Sequence, residues 1–444
     1  MTKRLFLTLV SCVLLISTSM AQIPKEAFPL TNSLSKLWSN GKTEKAVESS
    51  LKLYDLYSPM FIDRIHHTLA QHIKDDPNLY ALKYLEQVSL KNNEEVNRII
   101  APIYLWSRAV NTKEQGGLTK IISELDALLS DNSDYKSNAE RYGLLIIQEL
   151  ANKKAIDNKK AEKFTLKIIS TLEKYPNIEN VVSDRKEAEK RAWHRFLLAY
   201  SYDYLYSNVS KKEEYLKKAS DYSPDLGDRL NKSAYFYDAA LLTGNPRQIG
   251  YKGKYKNYLV ANNRKDEALK LQSNITFAYP SNENINSLKG MYELTDKNED
   301  FDAYWEKFVD SMGKPVPTVK VQFDGEELDL AQKSKCWRYI DVWGTWCGPC
   351  KRELPELQAL FVENSTDSNS KLKIYTFSYC SKDLKGFMSK NKYTFPVSEI
   401  DKEVNDSFEV AGYPTKILIT PSGNYIKIPF GVNWKMYIKN YTLM

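Results

Sequence analysis

The apolar residues of this chain change their period once, near Ser311, and that change decides the architecture. Before it they recur at helical spacing. Trp193, Phe196, Leu197, Tyr200 and Tyr204 fall at i, i+3, i+4, i+7 and i+11, one face of a helix, and Val47, Leu51 and Tyr54 repeat the pattern. After it they alternate: VKVQF runs to the tight-turn pair Asp324-Gly325, and CWRYIDVW (336–343) reads as a strand. KIYTFSY (373–379), TKILIT (415–420) and YIKIPF (425–430) follow, with helical patterns between them. At 444 residues the chain is too long for one ordinary core. The expectation is an all-α region over 22–311, a Pro- and Gly-rich linker at 312–317 and a compact α/β domain over 318–444.

Within the helical region, Ser58-Pro59, Asp76-Pro77, Tyr175-Pro176, Ser223-Pro224, Asn245-Pro246 and Tyr279-Pro280 punctuate the helices. Three segments echo one another: 41–59, 211–225 and 262–282. An Ala in a second helix followed by a closing Pro (Ala46 with Pro59, Ala268 with Pro280) resembles tetratricopeptide-type repeats, though the copies are irregularly spaced. Stacked helical hairpins are expected, with an irregular helical bundle as the alternative.

The first 21 residues carry an address. A basic start with Lys3 and Arg4 leads into LFLTLVSCVLLI and then a small-residue stretch ending at Ser19-Met20-Ala21. That is the order of a cleavable secretory signal, with a mature chain from Gln22. The apolar run is too short to span a bilayer, which takes about 20 residues. Leu9-Val10-Ser11-Cys12 also has the form of a lipobox, so lipid anchoring at Cys12 is the rival expectation. The net charge of +7 is mild and scattered, which argues against nucleic acid as a partner.

Of five cysteines, Cys336, Cys347, Cys350 and Cys380 lie close together, and residues 22–335 hold none. An exported chain that used disulfides as staples would spread them. The pair in WCGPC admits three uses. A zinc clip needs two more ligands, and His66, His67, His72 and His194 all lie in the helical region, where they read as ordinary histidines. A structural disulfide across two residues constrains almost no chain entropy. A working dithiol accounts for each residue. Cys347 falls at a helix N-terminus, where free N–H groups and the helix dipole favour a thiolate, and its sulfur is expected to be exposed. Cys350, one turn on, faces inward as a resolving thiol. Pro349 sits in the first turn, where a missing N–H costs little, and Trp346 covers the pair from one side. Asp341, inside a strand, is costly unless protonated or paired. Glu353 shares a helical face with Cys350 at i+3. These two acids are expected to divide the proton work, the alternative being a lysine partner for Asp341 and a solvated Glu353.

WCGPC after a hydrophobic strand resembles the thioredoxin superfamily. The resemblance covers about 316–444 and extends to Asp341 as the buried acid, Pro355 at the helix kink and Tyr413-Pro414-Thr415 as the cis-proline loop. Lys351-Arg352-Glu353-Leu354-Pro355 is further similar to the exported TlpA/ResA branch, where Glu353's position carries an active-site carboxylate. The resemblance implies an α/β thioredoxin fold, with Cys347 as nucleophile, Cys350 as resolving thiol and a redox-active disulfide between them. Asp341, Glu353 and Pro414 would complete the catalytic set, supported by Trp346, Gly348, Pro349, Tyr413 and Thr415. It implies no cofactor and no metal. The partners it implies are oxidised proteins and, by analogy, a membrane thiol-disulfide electron donor. Cys336 and Cys380 match no family motif. They stand at opposite ends of adjacent parallel strands, roughly 20 Å apart, so a bond between them is not expected. Cys380 is either a third reactive thiol or a buried small residue. The leading expectation is an exported thiol-disulfide oxidoreductase that reduces partner proteins. The alternative is a helical-repeat binding or scaffold protein whose thioredoxin domain tethers or senses a redox partner.

Overall fold

The computed structural model describes residues 23–130, 138–180, 182, 184–225, 228, 232–248, 250–296, 298–323 and 325–444. The expected signal segment with Cys12, the cleavage point before Gln22, and Asp324 of the first tight turn lie outside the described residues. The chain divides into two compact units, one ending at Tyr251 and the other running from Lys252 to Met444.

The described part of the first unit is helical. Three of its described helices start where a short polar side chain caps the amphipathic pattern. Asp184 accepts from Glu187 N at 2.9 Å to begin Arg185–Tyr204, and Asn93 and Asp157 cap Glu94–Asn111 and Asn158–Leu172 in the same way. Trp193, Phe196, Leu197, Tyr200 and Tyr204 are all buried, as their spacing requires. So are Ala46 and Ala219 of the echoing segments. Ser58-Pro59 does mark a break between two helical stretches. It lies inside Thr43–Asp63, which breaks at Tyr57 (φ −161°, ψ 83°) because Pro59 cannot donate to the preceding turn. The other proline turns lie between helices. The core of this unit holds an ion pair: Arg141 Nε donates to Asp238 Oδ1 at 2.6 Å, and each side chain is 1% exposed. Trp193 Nε1 also donates to Asp238, at 3.1 Å, and Arg141 Nη1 donates to His66 O at 3.0 Å. Three of the four histidines bond groups of the same unit: His66 bonds Tyr142, His67 bonds Asp63 and His194 bonds Lys190 O.

The second unit begins with the helices Lys252–Ala261, Lys265–Ala278, Asn282–Glu293 and Phe301–Ser311. Eight strands follow: β1 (Lys314–Pro315), β2 (Lys320–Phe323), β3 (Glu326–Asp329), β4 (Trp337–Trp343), β5 (Leu372–Tyr379), β6 (Val397–Ile400), β7 (Thr415–Ile419) and β8 (Asn424–Ile428). Six of them form a sheet in the order β1-β8-β7-β4-β5-β6, and β2 and β3 form a separate hairpin. β4, β5 and β6 are parallel, while β7, β8 and β1 continue the sheet antiparallel. β4 is central and every one of its seven residues is buried, which is why it reads as a nearly continuous apolar run.

Two elements went unread in the sequence. β6 is only four residues long, VSEI, and the helix Trp434–Thr442 sits at the C-terminus. That helix explains the division at Tyr251. Its Tyr437 and Tyr441 hydroxyls donate to Ala278 O and Phe277 O at 3.1 and 2.7 Å. Trp305 Nε1 donates to Asn440 O at 2.9 Å. Residues 252–311 therefore pack with the α/β fold, although the sequence places its boundary at 311. The expected linker is also part of the sheet: Lys314 and Pro315 pair with Tyr425 and Asn424, and Val316 N donates to Gly423 O at 3.0 Å.

Candidate active site

The carboxyl end of β4 delivers the chain straight into the helix Gly348–Thr366. Cys347 is that helix's N-cap, and its Sγ accepts from Cys350 N at 3.2 Å. Pro349 lies in the first turn, where it removes no helical hydrogen bond. Cys347 and Cys350 are joined by a disulfide, with their Cα atoms 5.3 Å apart. The helix therefore presents its free N–H groups and the positive end of its dipole to the first sulfur. One expectation is corrected here. Cys347 is only 4% exposed and Cys350 1%, so the oxidised pair is nearly closed off. Trp346 is instead the exposed residue, at 53%. Its Nε1 donates to Tyr379 O at 3.0 Å, which anchors the indole on the end of β5. Its ring meets Tyr413 edge-on at 5.1 Å, and Tyr413 stacks on Tyr379 at 5.8 Å.

The Tyr413-Pro414 peptide is cis. Thr415 closes the turn by donating its hydroxyl to Gly412 O at 2.6 Å, and Tyr413 donates to Asn405 Oδ1 at 2.7 Å. This loop leads into β7, which runs antiparallel to β4 with Lys416 directly opposite Asp341. That register sets the electrostatics of the site. Lys416 Nζ stands 3.4 Å from Asp341 Oδ2 and 2.6 Å from Glu353 Oε2. The ammonium also lies 5.2 Å from the centre of the Trp434 ring, a cation–π contact. Trp434 in turn stacks on Tyr339 at 5.7 Å. Lys416 and Asp341 are buried, whereas the Glu353 side chain is 36% exposed. Asp341, Lys416 and Glu353 thus form a line from the interior of the sheet to solvent.

Asp341 Oδ1 and the Tyr339 hydroxyl are both buried, and neither closes a hydrogen bond of ordinary geometry. Burial pushes the Asp341 carboxyl from its ordinary 3.8 up to about 6. The Lys416 ammonium pulls it down and the Glu353 carboxylate pushes it up, and neither outweighs burial. Lys416 was not picked out in the sequence. Its signal was a lysine inside the apolar strand TKILIT, at the alternation opposite Ile417 and Ile419. Cys336 and Cys380 flank β4 and β5, which are parallel, so they do stand at opposite strand ends. Cys380 is exposed, in a left-handed backbone conformation at φ 50°, and is not a buried small residue.

Residues 312–427 match the family model for the AhpC/TSA family. The chain is 26% identical over 142 residues to the thiol-disulfide oxidoreductase ResA of Bacillus subtilis (strain 168), a match covering 30% of this chain and 74% of the relative. It is 27% identical over 135 residues to sporulation thiol-disulfide oxidoreductase A of the same organism, covering 29% of this chain and 79% of the relative. A solved structure of a thiol:disulfide interchange protein of the thioredoxin family from Chlorobium tepidum TLS shares 20% identity. That match covers 30% of this chain and 95% of the other, with a TM-score of 0.26. The C-terminal domain has the thioredoxin fold, and its curated relatives are thiol-disulfide oxidoreductases.

The raised carboxyl makes a stability prediction. Folded Asp341 holds its proton to about pH 6, whereas unfolded it releases it near 3.8. Between those values the folded state binds more protons, so stability falls as pH rises through the window and stays lower above it. Asp341→Asn removes this slope. The variant should be more stable than wild type at pH 7–8 by up to about 3 kcal/mol, with the gap closing below about pH 4. Urea denaturation of both proteins across this range checks it. A gap that does not change with pH would contradict the raised carboxyl.

Proposed function

We propose that this chain, whose C-terminal domain is a thioredoxin-fold thiol-disulfide oxidoreductase, is exported and reduces disulfides in partner proteins through Cys347 and Cys350. The observation that carries the reading is Cys347 at the N-cap of Gly348–Thr366, with Cys350 N directed at its sulfur at 3.2 Å. The donor and the helix dipole favour a thiolate there over a neutral thiol. Relatives with the same activity support it.

The exchange balances as two displacements. The Cys347 thiolate attacks one sulfur of the partner's disulfide and releases the partner's other sulfur as a thiolate, leaving a mixed disulfide. The Cys350 thiolate then attacks the Cys347 sulfur and releases the second partner thiolate. Two electrons pass to the partner, the two protons of the dithiol end on its thiols, and Cys347–Cys350 is left oxidised. Cys350 is 1% exposed, and burial opposes its ionisation. A base with a pKa raised toward neutral suits that proton, and Asp341 is such a group. Lys416 links Asp341 to Glu353, so a proton taken inside the sheet has an exit to solvent along side chains. Asp341 and Glu353 thus act as proton carriers and Lys416 as the group that holds them together. Pro414, Tyr413 and Thr415 form the loop beside the pair, and Gly348 leaves the mouth free of a side chain. A membrane thiol-disulfide donor is the fitting source of electrons for a reductant outside the cytoplasm. The repeat-like helices are proposed to select the partner.

Two measurements test the reading. Cys347→Ser should reduce turnover of a protein disulfide to background, while Cys350→Ser should accumulate a mixed disulfide with substrate on a non-reducing gel. Trapping by Cys347→Ser and not by Cys350→Ser would reverse the roles. Wild-type protein that reduces no disulfide would leave the scaffold alternative. Export is tested by intact mass: the mature chain should begin at Gln22, and a diacylglycerol adduct on Cys12 would replace a freed chain with an anchored one.

A further inference from the structure

The rim around the catalytic pair carries charge that the exchange itself does not use. Lys351 and Arg352 follow Cys350 in the first turns of the helix and are both exposed. Arg352 lies one turn after Gly348 on the same helical face, its Nη1 3.9 Å from where a Cβ on Gly348 would stand. Lys382 comes from the loop after β5 and is braced against the residue two before Cys347. Its N donates to Thr345 Oγ1 at 3.2 Å, and its O accepts from the same hydroxyl at 3.3 Å. None of the three cationic heads takes part in an ion pair or side-chain hydrogen bond among the described residues. The acids that neighbour them in the chain are all engaged. Glu353 is held by Lys416, and Glu356 pairs with Lys435 at 3.0 Å. Asp383 caps the helix Leu384–Asn391, accepting from Gly386 N at 3.1 Å. Lys351 and Arg352 directly follow Cys350, and the Lys382 backbone is tied to Thr345, so three cations without an ion pair among the described residues belong to the segments that carry or touch the pair.

Beside these charges the surface is apolar. Trp346 is 53% exposed, and Phe430, which lines a cleft with Glu353 and Pro414, is 67% exposed. A large aromatic left in water beside unpaired cations calls for a partner with the complementary character.

We propose that this rim is the docking surface for proteins whose disulfide is flanked by acidic residues, their carboxylates meeting Lys351, Arg352 and Lys382 while apolar neighbours cover Trp346 and Phe430. The proposal rests on the exchange reading above and names its substrate class. Charges at this range steer encounter, so their effect falls on the second-order rate and is screened by salt.

The test uses the full chain, pre-reduced, and follows its oxidation by three disulfides in stopped flow. Two are peptides with the same disulfide loop, flanked in one by acidic residues and in the other by lysines. The third is uncharged hydroxyethyl disulfide. At low ionic strength the acidic peptide should react at least about 10-fold faster than the basic one, and the difference should collapse in ~0.5 M salt. The variant Lys351→Glu/Arg352→Glu/Lys382→Glu should invert the preference and leave the uncharged disulfide within about 3-fold of wild type. Equal rates of wild type on the two peptides would overturn the proposal without any variant. So would an equal loss of rate by the variant on the acidic peptide and on hydroxyethyl disulfide, because the cations would then be acting on the thiol. A wild-type chain inert toward hydroxyethyl disulfide would instead sink the exchange reading itself.

Discussion

The site depends on one cross-strand pair. Asp341 and Lys416 face each other across β4 and β7 in the buried middle of the sheet. Two opposite charges are costly in such a place, and for the Asp341 carboxyl burial outweighs the pull of the ammonium. The compensation is incomplete. One carboxylate oxygen of Asp341 closes no hydrogen bond of ordinary geometry, and Lys416 is shared with Glu353 at the shorter distance. A carboxyl left half-satisfied in a dry setting is held near neutrality, where a proton is exchanged most readily. The proposed role of Asp341 in proton transfer rests on that same incomplete compensation.

The rest of the domain arranges chemistry around that pair. β4 carries Asp341 and ends at Trp343, so the helix that follows starts at the cysteines. One turn further, Glu353 returns over the sheet to reach Lys416. The loop at Tyr413-Pro414 precedes β7 and so sits where Lys416 enters the sheet. The aromatic floor of Trp434 and Tyr339 beneath the ammonium comes from the C-terminal helix and from β4. That same helix holds residues 252–311 by hydrogen bonds from its tyrosines. Substitutions on the inner face of the C-terminal helix would act on both the site and the preceding helices.

Much of this was legible in the sequence because the relevant signals are local. A cysteine before Gly-Pro at a strand end specifies a helix N-cap, and Asp341 stood out as an acid between Ile340 and Val342. Burial of Trp193, Phe196, Leu197, Tyr200 and Tyr204 followed from spacing, whereas burial of Arg191, Arg195, Leu198, Ser201 and Tyr202 on the other sides of the same helix did not. What escaped depends on pairing between distant segments. The lysine partner of Asp341 was weighed as an alternative, yet only the register of β4 on β7 identifies it as Lys416. Burial of Cys347 also escaped, since it depends on how the surrounding loops close over the disulfide. Pro59, by contrast, was legible: the helical stretches on either side of it are broken at Tyr57. β6 is too short and too polar to announce itself.

The proposed proton path depends on the state of Asp341. The most direct measurement is a pH titration of its side-chain carboxyl by carbon-13 NMR in the oxidised protein, repeated in Lys416→Met. The account predicts an inflection near pH 6 in wild type and a higher one in the variant, where the ammonium that pulls it down is gone. A carboxyl that titrates at its ordinary value near 3.8 in both proteins would contradict it.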